Sequence, residues 1–223
     1  MRISHSHGFV FISKPRCAST TIRRILDPHS DVISASTPPY HHHATALELK
    51  MHFDDMGWNW RNYFVFTTVR NPWDMMVSYY AKFRPDNNGI YNFEDNRDGI
   101  AYNPDNLMPF SRWIMEGRTH HRVRFHDGAF QRNIWVRGFS KLTLANTISD
   151  TNGESLVNRI VRVEDLEDQL PGILSSLGIA YRGTAGKLNT SARGKYRRYY
   201  NSRTMRRIAE EFESDLEYGK YEF

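Results

Sequence analysis

Apolar and polar positions along the chain alternate in a way that predicts short strands, each followed by a helix. Phe9 to Ser13 is a brief apolar run of strand-forming residues, and Thr20 to Leu26 carries Ile22, Ile25 and Leu26 at helical spacing until Asp27-Pro28 ends it. After a Ser/Thr/Pro-rich turn from Ser34 to Pro39, Ala44 to His52 reads as a helix. Tyr63 to Val69 predicts a second buried strand, leading to Asn71-Pro72 as N-cap and first helical position. Phe83 to Asn106, rich in Asn, Asp, Gly and Pro, predicts a long polar loop on the surface or the substrate side. Phe110 to Met115 and Phe130 to Val136 predict helices. Arg159 to Val163 reads as a strand, followed by a helix from Glu164 to Leu177 that Gly178 ends. A last helix from Ser202 to Leu216 places Met205, Ile208, Phe212 and Leu216 on one face. Strands separated by helices predict an α/β fold with a central parallel sheet flanked by helices on both faces, in one domain over residues 1–223.

Composition narrows the class without choosing a ligand. A chain of 223 residues, 39% of them hydrophobic, can bury a substantial core. The formal charge of +5 suits an anionic partner but is too small to identify one, and no motif calls for nucleic acid. The single cysteine, Cys17, excludes an internal disulfide and permits a reducing cytoplasm. Met1-Arg-Ile-Ser-His-Ser-His-Gly8 leads into a strand pattern without a signal-peptide apolar region. No apolar run approaches the roughly 18 to 20 residues that span a bilayer. The expectation is a soluble cytoplasmic protein, although a lumenal fragment of a membrane-anchored parent would read the same way.

The chemistry concentrates in two turns. The first, Lys14-Pro-Arg-Cys-Ala-Ser-Thr-Thr21, lies between a strand and a helix, where backbone N–H groups and the helix dipole favour an anion. Ser19, Thr20 and Thr21 add hydroxyls, and Arg16 or Lys14 adds formal charge. Read more plainly, Ser19 only caps a helix and Lys14 is a solvated strand-end charge. The ATP-type loop G-x-x-x-x-G-K-[ST] is absent, since no glycine stands between Gly8 and Gly57. In the second turn, Arg70 ends a strand and Ser78 lies about two helical turns further on, so both could reach one phosphate. The plainer reading has Arg70 in a salt bridge with Asp74 and Ser78 on a helix surface. Two anion sites together imply a ligand with two phosphate ends.

Pro15-Arg-Cys-Ala-Ser-Thr-Thr21 resembles the 5'-phosphosulfate-binding loop of sulfotransferases, and Val69-Arg-Asn-Pro-Trp-Asp-Met-Met-Val-Ser-Tyr-Tyr80 resembles their 3'-phosphate-binding segment. The order is the family's. His43-Ala-Thr-Ala-Leu-Glu48, Arg162-Val-Glu-Asp-Leu166 and Phe212 to Phe223 agree with it, and the likeness is weakest from Phe83 to Gly128. The likeness is to the carbohydrate-type branch, the 2-O-sulfotransferase-like enzymes and their bacterial relatives. It implies a P-loop-like sulfotransferase fold, the donor 3'-phosphoadenosine 5'-phosphosulfate (PAPS), the product 3'-phosphoadenosine 5'-phosphate (PAP) and no metal. The implied acceptor is a hydroxyl of a carbohydrate, glycan or glycolipid.

The resemblance also assigns residues. Arg16, Cys17, Ala18, Ser19, Thr20 and Thr21 would hold the phosphosulfate, with Arg70 and Ser78 on the 3'-phosphate. A late basic loop supplies Ser191, Arg193 and Lys195 to the same phosphate, while Gln131 and Trp135 border the acceptor or simply pack. Arg16 stands where the family has Lys; it keeps a permanent charge but is a poor proton donor, which makes Lys14 a second candidate for assisting the leaving group. Histidine suits the removal of the acceptor proton, and His41, His42 and His43 supply it. Of these, His43 matches the family's base; His41 and His42 are then surface, substrate-contacting or structural. Two other readings stand beside this one: a P-loop-like kinase using ATP, and a non-catalytic relative that binds anions or glycans.

Overall fold

Residues with alternating environments on two sides build the central sheet. In the computed structural model, which describes residues 1–33, 40–82, 109–124, 131–181, 183 and 193–223, the strands and helices group into two compact units. The first comprises Met1–Arg70 and Leu144–Asn189. Its elements are β1 (Arg2–Ser4), β2 (Phe9–Ile12), α1 (Ser19–Leu26), β3 (Val32–Ile33), α2 (Ala46–Asp55) and β4 (Phe64–Val69). The same unit contains α5 (Leu144–Ile148), β7 (Arg159–Arg162) and α6 (Leu166–Ser176).

The sheet order is β3-β1-β2-β4-β7. β2, β4 and β7 run parallel, with Phe11 opposite Phe66 and Thr68 opposite Val161, whereas β1 pairs antiparallel with β2 and with β3. The expected parallel sheet is therefore mixed. β1 is three residues long and too short to leave a periodic signal, and the tight turn at Gly8, where φ is 61°, folds it back on β2. Successive side chains of β2 serve opposite faces. Phe9 and Phe11 pack with Ile22 and Leu26 of α1 and with Leu170 and Leu174 of α6; Val10 and Ile12 pack with Leu49 and Phe53 of α2. Helices thus cover both faces, as the strand-helix alternation predicts.

Thr45 begins α2 through a capping box: its side chain accepts from the Glu48 N–H while Glu48 accepts from the Thr45 N–H. Gly178, at φ 70°, follows the end of α6, and a short 3-10 turn at Val163–Asp165 occupies the start of the helix expected from Glu164.

The second unit comprises Asn71–Thr143 and Thr190–Phe223. It contains α3 (Pro72–Lys82), α4 (Phe110–Glu116), β5 (Arg118–Arg124), β6 (Gln131–Arg137), α7 (Ser202–Glu211) and α8 (Glu213–Gly219). Asn71 caps α3, its side-chain oxygen accepting from the Trp73 and Asp74 N–H groups. Aromatic rings fill this core: Tyr80 lies 5.3 Å from Trp113, and Trp113 lies 5.3 Å from Phe139.

Two expectations fail in this unit. The helix expected over Phe130 to Val136 is strand β6, paired antiparallel with β5 so that Trp135 lies opposite His120. Its Ile-Trp-Val run has strand propensity, and β5 supplies the neighbour that a lone segment lacks. The single helix expected from Ser202 to Leu216 breaks at buried Phe212, whose φ of −114° and ψ of 32° leave the helical region, giving α7 and α8. The segment from Phe83 to Asn106 lies outside the described residues.

Candidate active site

The turn after β2 lies at the carboxyl ends of parallel strands, the edge at which open α/β sheets bind ligands. Its path is made without glycine. Arg16 and Ala18 adopt left-handed φ values of 60° and 55° around buried Cys17. Such a conformation costs a non-glycine residue roughly 1–2 kcal/mol, and bonds from β4 offset it. Thr67 Oγ1 donates to the Ile12 carbonyl at 2.7 Å, and Thr68 Oγ1 donates to the Cys17 carbonyl at 2.6 Å. Arg70 Nη1 donates to the Arg16 carbonyl at 3.0 Å. The run Thr67-Thr-Val-Arg70 thereby ties the loop to its neighbouring strand.

Ser19 does not cap α1. It is the first helical residue, and its Oγ donates to the Lys14 carbonyl at 2.5 Å. Ala18 occupies the N-cap without a side-chain cap, and the first turn has no acidic residue. The positive end of the α1 dipole is thus not balanced by an acidic side chain of its own helix. Lys14 is not a solvated charge either: it is fully buried, with Nζ 4.0 Å from Cys17 Sγ. The buried pattern of β2 continues through Ser13 and Lys14 and carries the lysine's aliphatic stem inward.

His43 belongs to the same unit and touches the start of this loop. Its Nδ1 lies 2.7 Å from the Ser13 carbonyl. A carbonyl only accepts, so Nδ1 carries the proton and Nε2 is the basic nitrogen. The residue is open to solvent, yet protein surrounds the ring closely enough that desolvation holds its pKa well below the ordinary 6.5; the Ser13 carbonyl acts in the opposite direction. His41 is buried and structural: its Nδ1 accepts from the His43 N–H at 3.3 Å, and its Nε2 lies 3.6 Å from the Glu48 carboxylate. His42 is exposed.

Sequence reasoning overlooked Arg23. One turn after Thr20 on α1, it places Nη2 3.5 Å from Thr20 Oγ1, while Nη1 is buried with no hydrogen-bond partner among the described residues. Burial and then the charge of Arg2 lower its pKa to about 10, against the attraction of Asp27. Its charge also disfavours protonation of His43. The available signal was a basic residue three positions after a threonine at the start of the helix that follows the anion loop.

The second unit holds the remaining described candidates. Ser78 is buried on α3 rather than exposed. Arg193 pairs with Asp74 at 2.6 Å, both partly buried, and Lys195 is exposed. Tyr200 donates its hydroxyl to the Trp73 carbonyl at 2.9 Å; burial first, and the Asp74 charge next, raise its pKa well above the ordinary tyrosine value. Gln131 and Trp135 stand on β6, and Ser191 lies outside the described residues. Among the described residues, no group of three His, Cys, Asp or Glu could hold a metal ion, and no helix is long and apolar enough to cross a membrane.

Comparison with known proteins bears on what this layout serves. No curated protein matches the chain. A crystal structure of mouse sulfotransferase SULT7A1 complexed with PAP is similar at 12% identity and a TM-score of 0.43, over 96% of this chain and 85% of that one. The model of the sulfotransferase family matches residues 1–222, nearly the entire chain. This protein therefore belongs to the sulfotransferase family and is a PAPS-dependent sulfotransferase.

Proposed function

We propose that the enzyme transfers the sulfuryl group of PAPS to a hydroxyl of a carbohydrate or glycan, with His43 as general base, in a single domain spanning the chain. The observation that carries the base is the Ser13 carbonyl on His43 Nδ1, which leaves Nε2 as the basic nitrogen and joins the imidazole to the residue just before the anion loop. In the reaction, the acceptor oxygen forms a bond to sulfur as the bond from sulfur to the bridging oxygen breaks. The acceptor proton passes to His43 Nε2, and the electron pair stays on the 5'-phosphate of the departing PAP. By analogy with phosphoryl transfer, alignment and electrostatic stabilisation supply most of the acceleration.

The amino end of α1, with Ser19, Thr20 and Thr21, receives the phosphosulfate together with Arg16, Cys17 and Ala18. Arg16 carries the charge that steadies the leaving oxygen. Lys14, buried beside Cys17, adds positive potential from within the fold. Arg70 and Ser78 hold the 3'-phosphate, with Ser191, Arg193 and Lys195 contributing from the late loop.

Purified protein incubated with radiolabelled PAPS and a panel of neutral and acidic glycans should transfer label to at least one of them. His43→Ala should lower the transfer rate by roughly 10²- to 10⁴-fold, the usual share of a general base, while PAP binding stays intact. Unchanged turnover would remove His43 from the mechanism, and label appearing only on non-carbohydrate alcohols would replace the acceptor.

A further inference from the structure

Within the second unit, an open crevice of about 360 Å³ is lined by Met115 of α4 and by Ser202, Arg203, Arg206, Arg207 and Glu210 of α7. Its volume falls in the range of small-ligand clefts, about 300–1,000 Å³. The three arginines follow from the α7 pattern. Thr204 and Ile208 turn inward and are buried, which leaves positions 203, 206 and 210 exposed on the outer face.

The charges in this crevice are incompletely matched. Arg207 and Glu211 form an i,i+4 ion pair at 2.9 Å. Arg206 and Glu210 have the same spacing and order, yet make no such pair among the described residues. The Arg203 guanidinium likewise has no acidic partner among them. Like charges three and four positions apart on a helix repel, and an oxyanion placed among them would remove that repulsion. The N–H groups of Arg203 and Thr204 are already taken by the Asn201 cap, so the helix end is not the attraction and side chains must hold the ligand. Planar guanidinium groups match a tetrahedral oxyanion through paired N–H donors. Ser202 adds a hydroxyl, and Met115 supplies an apolar stretch of wall.

Glu210 says what else the ligand carries. It lies seven positions from Arg203, about 10 Å along the helix axis. A carboxylate there accepts from hydroxyl groups and repels a second anion. We propose that this crevice binds a sugar bearing one tetrahedral oxyanion ester, a sulfate or a phosphate, with the ester on Arg203 and Arg206 and the sugar hydroxyls toward Glu210. Its lining includes neither His43 nor any residue assigned above to PAPS.

The test is a titration of the full chain, carrying methyl-labelled methionine and saturated with PAP so that added anions cannot enter the nucleotide site. The Met115 methyl signal, assigned with Met115→Leu, reports the crevice. Glucose 6-sulfate or glucose 6-phosphate should shift it saturably, and the stronger of the two identifies the ester; inorganic sulfate should bind more weakly and neutral glucose not at all. The double variant Arg203→Gln/Arg206→Gln should weaken ester binding at least about tenfold, with PAP affinity and melting temperature unchanged. Glu210→Gln should leave inorganic sulfate binding no weaker while weakening the sugar esters. No saturable shift with either ester, equal binding by the double variant, or equal binding of glucose would each overturn the proposal.

Discussion

The two groups of candidate anion-binding residues are organised by different means. In the first unit, the loop after β2 is held through backbone carbonyls: Thr68, Arg70 and Ser19 all donate to main-chain oxygens of the loop or its approach. In the second, Arg193 is held by a side-chain charge, the Asp74 carboxylate. Carbonyl anchors fix the path of the backbone. A carboxylate anchor fixes position by offsetting the very charge an anion would need. On the proposed reading, the first arrangement shapes the loop for phosphosulfate, and the second tempers the attraction of Arg193 for an anion with the Asp74 carboxylate.

Arg70→Met breaks the comparison most severely, because it removes both an anchor and a cation. PAP affinity measured by calorimetry should fall by roughly 10- to 100-fold, in line with about 1.5–3 kcal/mol for a charged hydrogen bond. Thr68→Val keeps the shape of the side chain but leaves the buried Cys17 carbonyl without that donor. Denaturant unfolding should show a loss of about 1–2 kcal/mol, with PAP binding weakened in parallel. If stability is unchanged, carbonyl anchoring is not what shapes the loop.

Asp74→Asn tests the other region with a smaller effect. Loss of a partly exposed pair costs about 0.5–1 kcal/mol of stability, yet the released Arg193 should bind PAP more tightly, with a steeper salt dependence. Weaker binding instead would mean that Asp74 positions Arg193 rather than tempers it.

The smallest expected effect concerns pH. Since the His43 pKa lies below 6.5, the base is neutral at and above that value, and transfer should be flat there. The rate should decline only as pH falls through the lowered folded-state value. Stability follows the same sign, because below 6.5 the unfolded chain takes up the proton first, so the contribution present above 6.5 is lost on acidification. A rate that halves near 6.5 would place the titration on another group.

The legible parts were those encoded by neighbours in the chain. Asn71-Pro72 and Gly178 mark helix ends through local hydrogen bonds and backbone preference, and each sits at or next to such an end. β6 was misread because its partner β5 is a separate segment of the chain, and a seven-residue segment carries too little periodicity to choose strand over helix unaided. The His43 contact with Ser13 and the buried Nη1 of Arg23 depend on packing between separate elements, so no local pattern announces them. Lys14 was misjudged for a related reason: a lysine beside a proline reads as exposed until the strand before it is known to continue inward.

The left-handed pair at Arg16 and Ala18 has a thermodynamic consequence. A loop already bent around Cys17 and bonded to β4 does not have to surrender conformational freedom when its ligand arrives. On the proposed reading, nucleotide capture draws its specificity from a mould present before the encounter. Glycine at position 18 would ease the backbone while widening the range of shapes the empty loop can take, so a more relaxed protein would be the poorer receptor.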